Sequence, residues 1–163
     1  MDGEGEVVSV GNGVARVFGL DCVVTASWPI AGTGNGGPPT ISDFDGDTEP
    51  EIGIASGTRY AVYEPDGTQL WSAVVSDESS ASTGSAVYDF EGDGRGEVVY
   101  ADESRIWVYD GANGDVRYEG NHHASRTLHE FPTVADIDGD SLPEIVVPNG
   151  GGHQGENLSL IHI

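Results

Sequence analysis

One nine-residue acidic pattern recurs three times in this chain at a nearly fixed period, and no other feature restricts the fold so tightly. It reads Asp43-Phe-Asp-Gly-Asp-Thr-Glu-Pro-Glu51, Asp89-Phe-Glu-Gly-Asp-Gly-Arg-Gly-Glu97 and Asp136-Ile-Asp-Gly-Asp-Ser-Leu-Pro-Glu144, with starts 46 and 47 residues apart. A damaged copy occupies residues 1–6, with Met1 at the apolar second position and a loop two residues short. Such a period means one supersecondary unit copied along the chain, each copy burying its apolar face against the next.

The similarity runs past the loops. Eight residues after Glu6, Glu51 and Glu97 begin Val-Ala-Arg-Val-Phe18, Arg-Tyr-Ala-Val-Tyr63 and Arg-Ile-Trp-Val-Tyr109, which align without a gap. Turn-forming residues follow (Leu20-Asp-Cys22, Pro65-Asp-Gly67, Asp110-Gly-Ala-Asn-Gly114), then another β-prone run such as Thr68-Gln-Leu-Trp-Ser72. One strand enters each acidic loop (39–42, 84–87, 132–135) and one leaves it (51–54, 97–100), so a repeat holds four strands. Four strands in about 46 residues is the size of a propeller blade. The predicted fold is all-β, a β-propeller fragment of about three four-stranded blades over residues 1–157, completed by further blades of the same parent chain. Gly-rich 31–37 and Ser-rich 77–85 are predicted to link the blades.

Composition agrees and excludes several functions. The chain has 25 Gly, and Val and Ile far outnumber Leu, which favours short strands and tight turns. It carries 28 acidic residues against 6 basic ones, all Arg, for a net charge of −22, which repels nucleic acid and anionic membranes. No apolar run approaches the roughly 18 residues of a membrane-spanning segment, so membrane insertion is not expected. The single Cys22 has no disulfide partner within the chain and is expected to be a small buried apolar residue. Residues 158–163, Leu-Ser-Leu-Ile-His-Ile, look like the translation of a transposon-end adapter and are set apart as a non-native tail.

In each loop carboxylates stand at positions 1, 3, 5 and 9, Gly at position 4 and an apolar residue at position 2. On a tightly turning backbone this alternation aims the odd side chains at one point. Calcium takes about six to eight oxygens at about 2.3–2.6 Å in flexible geometry, which such a cluster can supply. The carbonyl of position 7 (Glu49, Arg95, Leu142) adds a fifth donor. An EF-hand differs, with its Gly at about position 6 and a bidentate Glu at about position 12 between helices. Zinc would call for His or Cys, and magnesium for a rigid octahedron.

On these loops, and on the phrases Pro-Thr-Ile-Ser-Asp-Phe-Asp-Gly-Asp and Pro-Thr-Val-Ala-Asp-Ile-Asp-Gly-Asp, the chain resembles the FG-GAP and VCBS repeat proteins, which include the integrin α-subunit head. The resemblance covers residues 1 to about 150. It implies calcium loops at 43–51, 89–97 and 136–144, with ligands Asp43, Asp45, Asp47 and Glu51, then Asp89, Glu91, Asp93 and Glu97, then Asp136, Asp138, Asp140 and Glu144. Glu91 departs from the usual Asp and is expected to make the second site looser. The implied function is a non-catalytic binding or adhesion scaffold, extracellular or at the cell surface (or periplasmic), whose loop face contacts a protein or glycan. The alternative is the propeller part of a secreted enzyme, such as a polysaccharide lyase or, on the faint likeness of Asp66-Gly-Thr-Gln-Leu-Trp71, a quinone-dependent dehydrogenase.

No nucleophile motif, phosphate loop or Cys-His pairing is present, and no catalytic residue is assigned. His122, His123 and His129 cluster without a known metal spacing and are expected in a surface link. Trp71 and Trp107 sit in repeating strand register, where packing between blades is the expected job; with Trp28 they are the only tryptophans.

Overall fold

The structure, a computed structural model, describes residues 5–121 and 131–148 together with the backbone of 158–162. Among the described residues, fourteen strands form four antiparallel sheets. The first sheet contains β1 (Glu6–Gly11), β2 (Val14–Gly19) and β3 (Val24–Pro29), in that order. The second contains β4 (Thr40–Ser42), β5 (Glu51–Ala55), β6 (Arg59–Tyr63) and β7 (Gln69–Val74). The third contains β8 (Ser85–Tyr88), β9 (Glu97–Ala101), β10 (Ile106–Tyr109) and β11 (Val116–Gly120). The fourth contains β12 (Thr133–Ala135), β13 (Glu144–Pro148) and β14 (Leu158–His162).

Every sheet is an up-and-down meander of consecutive antiparallel strands. The predicted blades are therefore present as two four-stranded and two three-stranded sheets. Leu158–His162, set apart on sequence grounds, pairs along β13 from Glu144↔His162 to Pro148↔Leu158.

The hydrophobic cores lie between sheets, because period-two alternation sends successive residues to opposite faces. On β5, Ile52 and Ile54 join Ala15, Val17, Trp28 and Ile30 of the first sheet. On the opposite face, Ala55, Tyr60, Val62 and Trp71 meet Val98, Tyr100, Trp107 and Tyr109 of the third sheet. On β9, Val99 and Ala101 turn toward Ile145 and Val147 of the fourth. Each middle blade is thus a two-sided layer, apolar on both faces, whose neighbours cover it.

Two interlocks repeat across the blade boundaries. The Trp28 ring covers Gly67 and the Trp71 ring covers Gly114; both glycines lie in the next blade's hairpin turn with φ of +91° and +75°. A Cβ would lie 2.7 Å from the Trp28 ring in one case and 2.4 Å from the Trp71 ring in the other, so glycine is required twice over. Trp71 Nε1 also donates to the carbonyl of Gly111. The entry strands meet side by side through Thr40 and Ser85, whose hydroxyls lie 2.7 Å apart, and Ser85 also bonds the Tyr60 hydroxyl at 2.8 Å.

The Ser-rich link is held by buried Asp77, which accepts from Ser80 Oγ, the Thr83 amide and the Tyr100 hydroxyl. Asp102, also buried, accepts from the Ser76 and Arg105 amides and from Trp107 Nε1. Trp71 therefore packs between blades as expected, and Trp107 stacks on Tyr109 in the same core. Cys22 corrects an expectation: it is exposed, at φ +65° in the turn joining β2 to β3, where its amide donates to Gly19. A left-handed turn residue sits at the tip of a hairpin, beyond the reach of either sheet face.

Candidate metal centre

The acidic loops connect entry and exit strands: β4 to β5, β8 to β9 and β12 to β13. They share one hydrogen-bond scheme. The position-1 Asp accepts from the position-4 Gly amide with Oδ1 (Gly46 to Asp43 2.6 Å, Gly92 to Asp89 2.6 Å, Gly139 to Asp136 2.7 Å). Its Oδ2 accepts from the position-6 amide of Thr48, Gly94 or Ser141. The position-5 Asp accepts from the position-7 amide, pairing Glu49 with Asp47, Arg95 with Asp93 and Leu142 with Asp140. Position 9 reaches back to the amide of position 2, at 2.7 Å for Phe44 to Glu51, 2.8 Å for Phe90 to Glu97 and 2.9 Å for Ile137 to Glu144.

Positions 4 and 6 both take positive φ, Thr48 at +78° and Ser141 at +74° included. The backbone is coiled tightly enough to turn its amides onto its own carboxylates. This local bonding is why Asp at positions 1, 3 and 5 suits the loop: its side chain is short enough to bond an amide two to five residues on.

The result brings oxygens together. In the first loop Asp43, Asp45, Asp47 and Glu51 each place a carboxylate oxygen within 4.8 Å of the others, and in the third Asp136, Asp138 and Glu144 do the same. Two oxygens bound to one calcium at about 2.3–2.6 Å can be at most about 5 Å apart, so both groups have the right span. Asp140 is in the third loop but outside its tight group. No comparable group forms from Asp89, Glu91, Asp93 and Glu97 among the described residues.

Burial differs sharply within a loop. The position-9 residues Glu51, Glu97 and Glu144 are 0%, 4% and 0% exposed, whereas Leu142 at position 7 is 57% exposed. Glu51 uses Oε2 for the Phe44 amide, and its buried Oε1 has no hydrogen-bond donor. Burial, reinforced by the charges of Asp45 and Glu64, pushes the Glu51 carboxyl up to about 7. Burial likewise raises Glu97, with Glu91, Asp89 and Asp93 adding to it. An anionic oxygen buried without a donor is costly unless a cation or proton meets it. The first loop therefore fits a divalent ion by chemistry as well as spacing, and its all-oxygen donors suit a hard one.

Glu64 belongs to this environment although it lies outside the loop. It sits on the β6–β7 hairpin beside Asp47 and Glu49, and its carboxyl is raised by burial and by the charges of Asp45 and Asp47. Its one sequence signal is its place immediately after the aligned aromatic Tyr63. Glu6, the position-9 residue of the damaged copy, is exposed at the start of β1, and residues 1–4 lie outside the described residues. His122, His123 and His129 also lie outside them.

Sequence comparison bears directly on these loops. Residues 89–147 match the FG-GAP-like repeat. That FG-GAP-like segment takes in the second and third acidic loops with β9, β10 and β11 of the third sheet. No curated protein sequence matches the chain significantly. Among solved structures, the V. cholerae biofilm matrix protein Bap1 is similar at 29% identity and a TM-score of 0.60, over 68% of this chain and 19% of that one. BamB from Moraxella catarrhalis is similar in fold, at 12% identity and a TM-score of 0.62, over 99% of this chain and 47% of BamB. A protein of unknown function from Bacteroides caccae gives 12% identity and a TM-score of 0.55, over 97% of this chain and 57% of that protein. The chain thus spans about a fifth to just over half the length of these proteins. With its four meander sheets, the fold is that of a β-propeller fragment.

Proposed function

We propose that this chain is a calcium-stabilised, non-catalytic β-propeller module of an extracellular or cell-surface protein, with blades that scaffold loops for binding a protein or glycan. The observation that carries the calcium assignment is Glu51 Oε1, buried without a donor beside the converging oxygens of Asp43, Asp45 and Asp47. When bound, calcium supplies positive charge to those oxygens, and the third loop offers Asp136, Asp138 and Glu144 to a second ion. The chain's own part is to hold the carboxylates in place through the amides of Gly46, Thr48 and Phe44 before any ion arrives.

A net charge of −22 supports a setting rich in divalent cations, and extracellular calcium modules work at about 0.1–1 mM. The likeness to a biofilm matrix protein supports the surface and adhesion parts of the assignment. The test is calorimetric titration of calcium into the chelator-treated chain and into Glu51→Gln. Heat from the native chain and at least tenfold weaker binding at one site of the variant are expected; absence of binding to the native chain overturns the assignment.

A further inference from the structure

The second acidic loop follows the same backbone as the other two but has different company. Position 7 is Glu49 in the first loop and Leu142 in the third, and here it is Arg95. Arg95 donates to Asp93 Oδ2 through Nε at 3.0 Å and again through Nη2, while its amide takes Asp93 Oδ1 at 3.0 Å. Both oxygens of the position-5 ligand are therefore engaged by residue 95.

Position 3 differs too. In the first and third loops it is an Asp that accepts the position-5 amide at 3.1 Å. Glu91 is one methylene longer and does not, so the Asp93 amide turns to Asp89 Oδ1. Glu91 reaches outward instead, placing Oε1 3.3 Å from Arg117 Nη1 on β11. The other end of the Arg117 guanidinium bonds Asp110 Oδ2. Strand register sets Tyr118 opposite Val108 as Trp71 is opposite Val62 and Ala26 opposite Val17, so the counterparts of Arg117 are Leu70 and Thr25, which carry no charge. The counterpart of Asp110 in the second blade is Glu64, which faces Asp45 and Asp47 with no arginine at that register.

Glu for Asp at position 3, Arg at position 7 and Arg on the fourth strand all fall on one loop, and it is the loop whose carboxylates do not converge. A guanidinium fork matches a carboxylate in plane and is always charged, so it can stand where a cation would. We propose that Arg95 and Arg117 stand in place of a cation at the second loop, which takes no divalent ion, so that the described loops bind two calcium ions, in the first and third. The count of two rests on the calcium assignment above; the exclusion of the second loop does not.

Calcium per chain is measured by equilibrium dialysis with elemental analysis, on the native chain and on Arg95→Gln/Arg117→Gln, which keeps most of each aliphatic stem and removes the charge. Two ions are expected in the native chain and three in the double variant, the third lost again when Asp89→Asn is added. Three ions in the native chain, or no gain in the double variant, overturns the proposal. If the first and third loops fail to bind, both counts drop together and the difference of one survives, which separates that failure from this one. Should the double variant not fold, Glu91→Gln/Asp93→Asn in the native background decides: an unchanged count is expected, and loss of one ion overturns the proposal.

Discussion

The carbonyl oxygen of Asp43 accepts a hydrogen bond from the amide of Gly96 at 3.0 Å. Asp43 opens the first acidic loop, and Gly96 is the eighth residue of the second. These two loops are thus joined across the blade boundary by main chain, and the Arg95 stem lies over Gly46, where a Cβ would come within 2.9 Å of its Cγ. The first and second loops brace each other, whereas position 8 of the third loop is Pro143, which has no amide hydrogen to donate to the second.

Gly96→Ala tests that brace. A Cβ there would meet Val87 Cγ2 at 2.5 Å and Ser42 Oγ at 2.8 Å, so the two loops must part. Overpacking of this kind costs about 1–3 kcal/mol. Denaturant unfolding should show that loss, and calcium affinity at the first loop should fall with it.

Glu51→Gln is expected to act with opposite signs in the two metal states. Without calcium it removes a charge buried among like charges, and the midpoint of thermal unfolding should stay level or rise. With calcium it removes a ligand, and the metal-induced rise should shrink. Saturation at about 100 times Kd is worth about 2.7 kcal/mol per site, so scans with calcium and with chelator can resolve the difference.

The metal-free chain should be more stable at pH 5 than at pH 8. Folding raises the Glu51 carboxyl from 4.5 to about 7. Between those values the native state holds a proton that the unfolded state has released, so stability falls as pH rises through the window and levels off above about 7. Burial of Glu97 acts in the same direction. Calcium competes with that proton, and its affinity should fall as pH drops below about 7. Unfolding by urea at both pH values, with chelator present, checks the first part.

Replacing Asp43, Asp45, Asp136 or Asp138 by Ala should reduce or abolish calcium-dependent stabilisation. Glu91→Ala should leave it intact, with a change in overall stability within about 0.5 kcal/mol, because its ion pair to Arg117 is exposed on both sides. Parallel melts of the variants in calcium give the order.

Gly114→Ala strikes the interlock between the second and third blades. It combines a φ of +75° with a Cβ 2.4 Å from the Trp71 ring, and either Trp71 must leave the core or the hairpin must shift. Loss of at least about 2 kcal/mol is expected, from left-handed strain and overpacking together. Trp71 fluorescence should report the displacement.

Much of this was legible because the signals are local. Period-two alternation in Glu51-Ile-Gly-Ile54 and the aligned Val62 and Val108 set strands and faces, and the loop spacing set the odd side chains. What escaped depends on contacts between distant segments. Nothing near Asp77 announces that the Tyr100 hydroxyl will bond it, and nothing near Asp102 announces the Ser76 amide. Arg117 lies 26 residues beyond Glu91 and meets it only because the β9–β10–β11 meander folds back over the loop. Cys22 escaped for another reason: its composition class says buried, while its turn places it outside.

The tryptophan of one blade and the glycine of the next recur with the repeat itself, Trp28 with Gly67 and Trp71 with Gly114. Copy the period that runs from Gly67 to just short of Gly114, and the duplicated stretch brings in one cradle, Gly67, and one ring, Trp71. The chain can gain or lose that blade by unequal recombination with both interlocks still matched, because Trp28 and Trp71 each meet the same kind of cradle.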